Sequence, residues 1–539
     1  MNYSKVNQPP ISYNMLPYSG PWTKDQAAHL LRRTMFGATF QQITSAVSSG
    51  MNATVANLLQ IPIINPPLAY EAAETEVPLG TTWVNAVYPA DAAAAQLVEN
   101  TRLKSLAAWY MGRINHENLS IAEKICMFWH NHFACTLTSD SRITYNYYNL
   151  IRTHALGNFK QLVKDVTIDP CMLLFLNGAT NTLYSPNENY AREILELFTI
   201  GKGDQIGPGD YTNYKEEDVA AGAKIFTGYL VDGIRSNTIT NPTANFNAIL
   251  HDPSSKQLSS HFGSAIVANQ GANEYSAYID IIFQQTQVAH FICKKLYRYF
   301  VNYDLTSDVE TNVIPEMAAT MIANNYEILP VLDQLFKSEH FYDVALRGSI
   351  IKGPLEFVFS MLNNNQAAPN FSLAVNSDMY LSLYWLAENM SQGIATPPSV
   401  AGWPAYYQAP AFSQLWMNSN HIKSRFDLAG YITVYTGIPV SGNNFKVNAL
   451  QLVDGLSNPS DALTVINDLC TVFFSKPISF AQIFTLKAIL TNGQPDTEWT
   501  IQYTDYINNP GNTTFSTPVK TRIEYVLYKI FQMPEFHVI

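Results

Sequence analysis

The sequence predicts a mainly α-helical protein, a single large multi-helix domain with long irregular loops and at most a small hairpin. Apolar residues recur at helical spacing over most of the 539 residues. Capping residues open several of these runs, and glycines close them. No internal repeat and no strongly polar linker divides the chain, although its length alone would suggest roughly two to four domains. With 47% apolar residues the composition is that of an ordinary globular protein.

Residues 1–22 read as an N-terminal extension and 23–539 as the helical domain. From Thr23 to Leu59, TKDQAAHLLRRTMFG supplies a capping Thr23, helical spacing and a terminal Gly37. Ile61 to Asp91 is irregular, rich in Pro and small residues. Ala92 to Cys135 is helical again and runs into an aromatic, Asn-rich stretch through Tyr148. Helices are expected over Tyr148 to Val166, Pro186 to Ile200 and Lys215 to Phe226. Val231 to Gly271 reads as non-helical, with a short hairpin around ITNPTANF. Helical spacing returns over Asn273 to Val301, Val309 to Lys337 and Lys352 to Asn363, closing the core motifs of 23–363. A Gly/Pro-rich loop at 393–410 precedes a mostly helical C-terminal part, 411–539.

SPNENYAREILELFTIG, Ser185 to Gly201, carries unusually dense charge for a protein only 14% charged. At roughly 100° per residue, Tyr190, Ala191, Ile194, Leu195, Leu197 and Phe198 share one arc. Glu188, Asn189, Arg192, Glu193 and Glu196 share the other. Self-paired i,i+4 charges on a solvated face would explain this pattern. The sharper expectation is a polar face turned inward, toward a metal or a polar ligand.

Around EKICMFWHNHFACT, His130 and His132 would lie about 200° apart on a helix, so one ion could not easily take both. A helix ending near Trp129 would let them converge. On the wheel His132 falls among Ile125, Phe128, Trp129 and Phe133, the pattern of a core histidine. In LHDPSSKQL, His251 beside Asp252 offers a base with an orienting carboxylate, or two hard ligands; an Asx-turn at Asp252-Pro253 is the simpler reading. GxSxG, GxxxxGKS, GxGxxG after a strand and HExxH are all missing, which counts against the enzyme classes they mark.

The net charge of −11 and the lack of long basic runs exclude a phosphate-neutralising nucleic-acid patch. Five cysteines without zinc-ribbon spacing read as buried free thiols. No stretch reaches the ~18 apolar residues of a membrane span. No signal peptide is visible, so a native start at Met1 would imply a cytoplasmic location.

These segments, in this order, resemble the DUF1800 family, a bacterial family of unknown function. The resemblance runs through HLLRRTMFGAT, EKICMFWHNHFACT, SPNENYAREILELFTIG, YTNYKEEDVAAGAKIFTGY, HDPSSK, HFICKKLYRYFV, KGPLEFVFSML, PPSVAGWP and MPEFHVI. It implies a largely helical fold and no established reaction. Its recognisable positions here are Arg32, Arg33, His130, His132, Asn187, Glu188, Arg192, Glu193, Glu196, His251, Asp252, Gly402 and Trp403, with Met35 and Cys135 as mild departures. The resemblance also implies a partner of the DUF1501 type and an extracytoplasmic role, in tension with the missing signal peptide.

Two functions follow as expectations. One is an enzyme with an interior polar site, in which His130, His132, Glu188 and Asp252 could hold a divalent metal for hydrolysis. Arg192, Glu193 and His251 would then serve catalysis. The other is a non-catalytic binding or assembly protein whose charged motifs lock helices together. Its loops at Tyr145 to Asn149 and Pro397 to Trp416 would bind a glycan or a protein. Haem binding through His132 is a weaker third, since CxxCH is missing.

Overall fold

Side-chain caps set the first helices of the computed structural model, which describes residues 11–115, 118–136, 138–362 and 372–539. Thr23 with Gln26 and Thr39 with Gln42 form capping boxes on the helices Lys24–Thr34 and Phe40–Ser49. Each such cap contributes about 1 kcal/mol. The first ten residues of the N-terminal extension lie outside the described residues. The remainder is stitched to the body, with Ser12 N donating to Asp343 Oδ2 at 2.7 Å and Tyr18 N to Lys337 O at 2.7 Å.

The protein is mainly α-helical, as its periodicity predicts. The stretch from Tyr148 to Val166, expected to be helical, falls in two helices, Ser141–Thr153 and Phe159–Thr167, each with its own cap, Asp140 and Asn158. The expected Lys352 to Asn363 helix spans Pro354–Leu362, and Asn363 lies outside the described residues. The 24-residue helix Ala92–Asn115 packs along the 17-residue helix Leu373–Asn389. One continuous apolar core runs from Met15 to Phe536, so the C-terminal part shares the core of the rest. The terminal MPEFHVI closes onto the start of KGPLEF, with Lys352 N donating to His537 O at 2.9 Å and Ile539 N to Ile350 O at 2.8 Å.

The strand content departs from the expected single hairpin. Four two-stranded antiparallel ladders are described, of which only Tyr229–Asp232 with Thr243–Phe246 falls at ITNPTANF. The others, Gln205–Gly207 with Asp210–Tyr211, Lys256–Gln257 with Ile266–Val267, and Ile438–Val440 with Asn443–Phe445, are two or three residues per strand. Strands that short carry no readable alternation. Among the described residues no helix is long and apolar enough to cross a membrane.

Candidate functional site

The helix Ala122–His132 does not stop at Trp129 but continues through both histidines, with Phe133 N bonding Trp129 O at 2.8 Å. The imidazoles therefore diverge: His130 and Asn131 hold two points of the Gly/Pro-rich loop, and His132 holds the end of SPNENYAREILELFTIG. His130 Nε2 accepts from Ala395 N at 2.9 Å, in the Gly/Pro-rich loop. Asn131 Oδ1 accepts from Trp403 N at 2.9 Å. His132 Nε2 donates to Phe198 O at 3.0 Å, while its Nδ1 accepts from Lys295 Nζ at 3.0 Å. Burial pushes His130 down to about 4. Burial and then the Lys295 charge push His132 well below the usual range. Both rings are neutral at pH 7, and every ring nitrogen named here already has a protein partner.

Gly402 explains why PPSVAGWP can approach this helix. Its φ is +83°, and a Cβ there would overlap Asn131. Trp403 and Trp416 are buried, so the loop expected to present aromatic rings to a glycan instead packs them inside.

SPNENYAREILELFTIG is not one regular helix. An α-helix over Asn189–Glu193 widens into a π-helix over Ile194–Thr199, which shifts the faces read from a regular wheel. The carbonyls of Leu197 and Phe198 near its end are taken by Lys295, at 2.9 Å, and by His132. Arg192 forms a two-pronged pair with Glu216, 2.8 Å on each prong, and reaches Glu188 at 3.1 Å. All three are at least partly exposed, so the cluster is a seam onto the helix Glu216–Ile225 and contributes a few tenths of a kcal/mol per pair. Glu193 is half-buried, and burial together with Glu196 pushes its carboxyl up to about 7.

His251 finds its carboxylate in Glu274 rather than in Asp252. Its Nε2 meets Glu274 Oε2 at 3.0 Å, its Nδ1 meets Thr227 O at 2.9 Å, and Lys256 Nζ meets Glu274 Oε1 at 2.5 Å. All three side chains are buried. Asp252 forms the simpler Asx-turn, its Oδ1 accepting from Ser254 N at 2.8 Å. The seven expected site residues are thus not brought together. Among the described residues the one direct bond within that set is Arg192 to Glu188, and no group of three or more His, Cys, Asp or Glu side chains is placed to hold a metal ion.

A groove of about 740 Å³ lies elsewhere, within the roughly 300–1,000 Å³ typical of ligand sites. Its floor is one face of the helix Ser141–Thr153, where Ile143, Asn146, Asn149, Leu150 and Thr153 recur at helical spacing. Asn241 to Ala244 of the hairpin form the opposite wall, and Asn146 Nδ2 donates to Asn241 Oδ1 at 3.0 Å between them. Arg142, fully buried, fixes that wall: it donates to Ile239 O at 2.8 Å and Gly233 O at 2.9 Å while pairing Asp140 at 2.6 Å.

Three titratable groups line the groove. His154 Nε2 meets Asp165 Oδ2 at 2.9 Å, and Gln161 donates to the other oxygen at 2.8 Å. Asp169, the cap of the short helix Pro170–Phe175, accepts from Cys171 N at 2.7 Å. Burial nonetheless pushes its carboxyl up to about 7. Of these lining residues the sequence singled out Asn146 and Asn149, as part of a presumed loop, and Asn241 to Ala244, within the expected hairpin. The amides at i and i+3 followed by Thr153 were the available signal.

Residues 29–538 match the DUF1800 family, described as a protein of unknown function, and the chain belongs to that family. No curated protein and no solved structure matches the chain.

Proposed function

We propose that the protein is a binding protein for a neutral, hydroxyl-rich ligand of the oligosaccharide class, held in the groove over the helix Ser141–Thr153. The observation that carries this reading is the lining: Asn85, Asn146, Asn149 and Asn241 with Thr153 and Thr243 in one cavity. Amides and hydroxyls both donate and accept, which suits sugar hydroxyls. Asp165, Asp169 and a net charge of −11 disfavour an anionic ligand. Isothermal titration with chitotetraose and cellotetraose tests the proposal. Binding that the Asn146→Ala/Asn241→Ala variant loses is expected; a folded protein that binds neither sugar would overturn it.

A second reading rests on Asp169. A carboxyl raised to about 7, with Asp165 bonded to His154 in the same groove, supplies an acid and a second carboxyl group, the two side-chain types that glycosidic hydrolysis uses. Release of shorter sugars by the wild type, abolished in Asp169→Asn with binding retained, would favour it over pure binding. A DUF1501-type partner and an extracytoplasmic location are proposals resting on the family association alone; a hydroxyl-rich polymer as ligand is compatible with both.

A further inference from the structure

A separate cavity of about 220 Å³ is lined by Arg32, Arg347 and Lys476, with Asp25 as a carboxylate at its edge. It lies where the helix Lys24–Thr34 meets the short turn Val344–Leu346 and the segment after the helix Ala462–Phe473. Arg347 is 5% exposed, yet its Nε and Nη2 have no acceptor among the described residues. Its Nη1 has Asp25 Oδ2 at 4.0 Å, the limit of an ion pair, and that carboxylate is mostly exposed. Arg32 donates to the backbone oxygens of Thr471 and Val472, which bring no charge.

Behind them Arg33 is 1% exposed and bonded only through Nη2, to Leu346 O at 2.7 Å and Ser349 Oγ at 3.1 Å. The cations disfavour one another. Burial, then Arg347, lowers Arg32 to about 9, and burial with Arg33 and Arg347 lowers Lys476. The same charges, after burial, hold the neighbouring His29 well below its usual range. In a chain of net charge −11, positive charge has been gathered around an open volume with little to neutralise it.

We propose that this cavity is a binding site for a tetrahedral oxyanion, phosphate or sulfate, taken as the free ion or as the head group of a small monoester. The Nε and Nη2 of Arg347 form the side edge of the guanidinium, two near-parallel donors that match two oxygens of such an anion. Lys476 stands exposed at the same cavity and supplies a charge from the solvent side. The anion relieves the repulsion among Arg32, Arg347 and Lys476 and provides acceptors for donors that otherwise have none.

The test is isothermal titration of the full chain with inorganic phosphate, inorganic sulfate and glycerol 3-phosphate, at ionic strength held constant with chloride. Saturable binding of at least one anion is expected. It should weaken about tenfold in Lys476→Gln, an exposed position whose change leaves the fold intact, and disappear in Arg347→Gln. Glycerol 3-phosphate binding more tightly than phosphate assigns the site to an ester head group; the reverse order assigns it to the free ion. No saturable binding by the wild type, or unchanged binding in Lys476→Gln, overturns the proposal.

Discussion

Lys295 donates to Nδ1 of His132 across 3.0 Å, and the two side chains take consecutive carbonyls, Leu197 and Phe198, at the end of the π-helix. Three charged or aromatic motifs from distant parts of the chain, WHNHF, ELFTIG and HFICKKLYRYF, are joined at this point. The bond geometry is that of a helix end being satisfied, with a neutral imidazole and a lysine that burial and Arg298 push down to about 7. These polar groups hold elements in place.

Acid should destabilise the fold through His130. Unfolded, the ring takes up a proton near 6.5; folded, only near 4. The folded state is therefore the poorer proton binder in that window, and stability is lost as pH falls through it, by up to about 3 kcal/mol from this group. His130→Gln retains an acceptor for Ala395 N and removes the titration. Urea melts from pH 7 to 4 should fall less steeply for the variant than for the wild type.

Gly402→Ala should cost about 2 kcal/mol or more. The positive φ disfavours a side chain, and the added Cβ meets Asn131, which must move off Trp403 N. A lowered urea midpoint checks the loss, together with a red shift of tryptophan emission as Trp403 is uncovered.

The buried Glu274 holds two bases, so removing its charge leaves Lys256 unpaired. Glu274→Gln should cost about 3–5 kcal/mol. Lys256→Met/Glu274→Leu removes the pair rather than breaking it, and should cost less than the single change. Equal losses in the two variants would contradict the ion-pair assignment. Thermal melts of both proteins decide it.

Arg142→Lys is not conservative at this site. The planar fork donates to carbonyls of the loop between the paired strands while pairing Asp140, and an ammonium cannot span them. A loss of about 3 kcal/mol is expected. Faster amide exchange over 233–244 is expected as well, since that wall of the groove loses its anchor.

Much of the helical fold was legible, because caps such as Thr23 and periodic apolar runs act locally. The charged face expected to turn inward instead lies partly exposed, with Glu188 and Arg192 joined to Glu216, and the π-turn at Ile194–Thr199 that shifts the wheel beyond Glu193 is announced by no local pattern. His130 and His132 could be read as diverging only once the helix was known to continue past Trp129. Glu274 was hidden by distance: nothing in HDPSSK points to a carboxylate 23 residues downstream. The groove was half visible, since Asn146 and Asn149 stand in an Asn-rich run, whereas Asn85, Asp169 and Asn241 join them only through the tertiary fold.

Amide hydrogen exchange of the full chain with and without saturating chitotetraose tests the ligand-groove assignment most directly. Protection confined to the segments that line the groove, around Asn85 and over 141–154, 165–170 and 241–244, is the predicted result. Protection centred on the helix Asn189–Glu193 or on His251, or no protection at all, would contradict it.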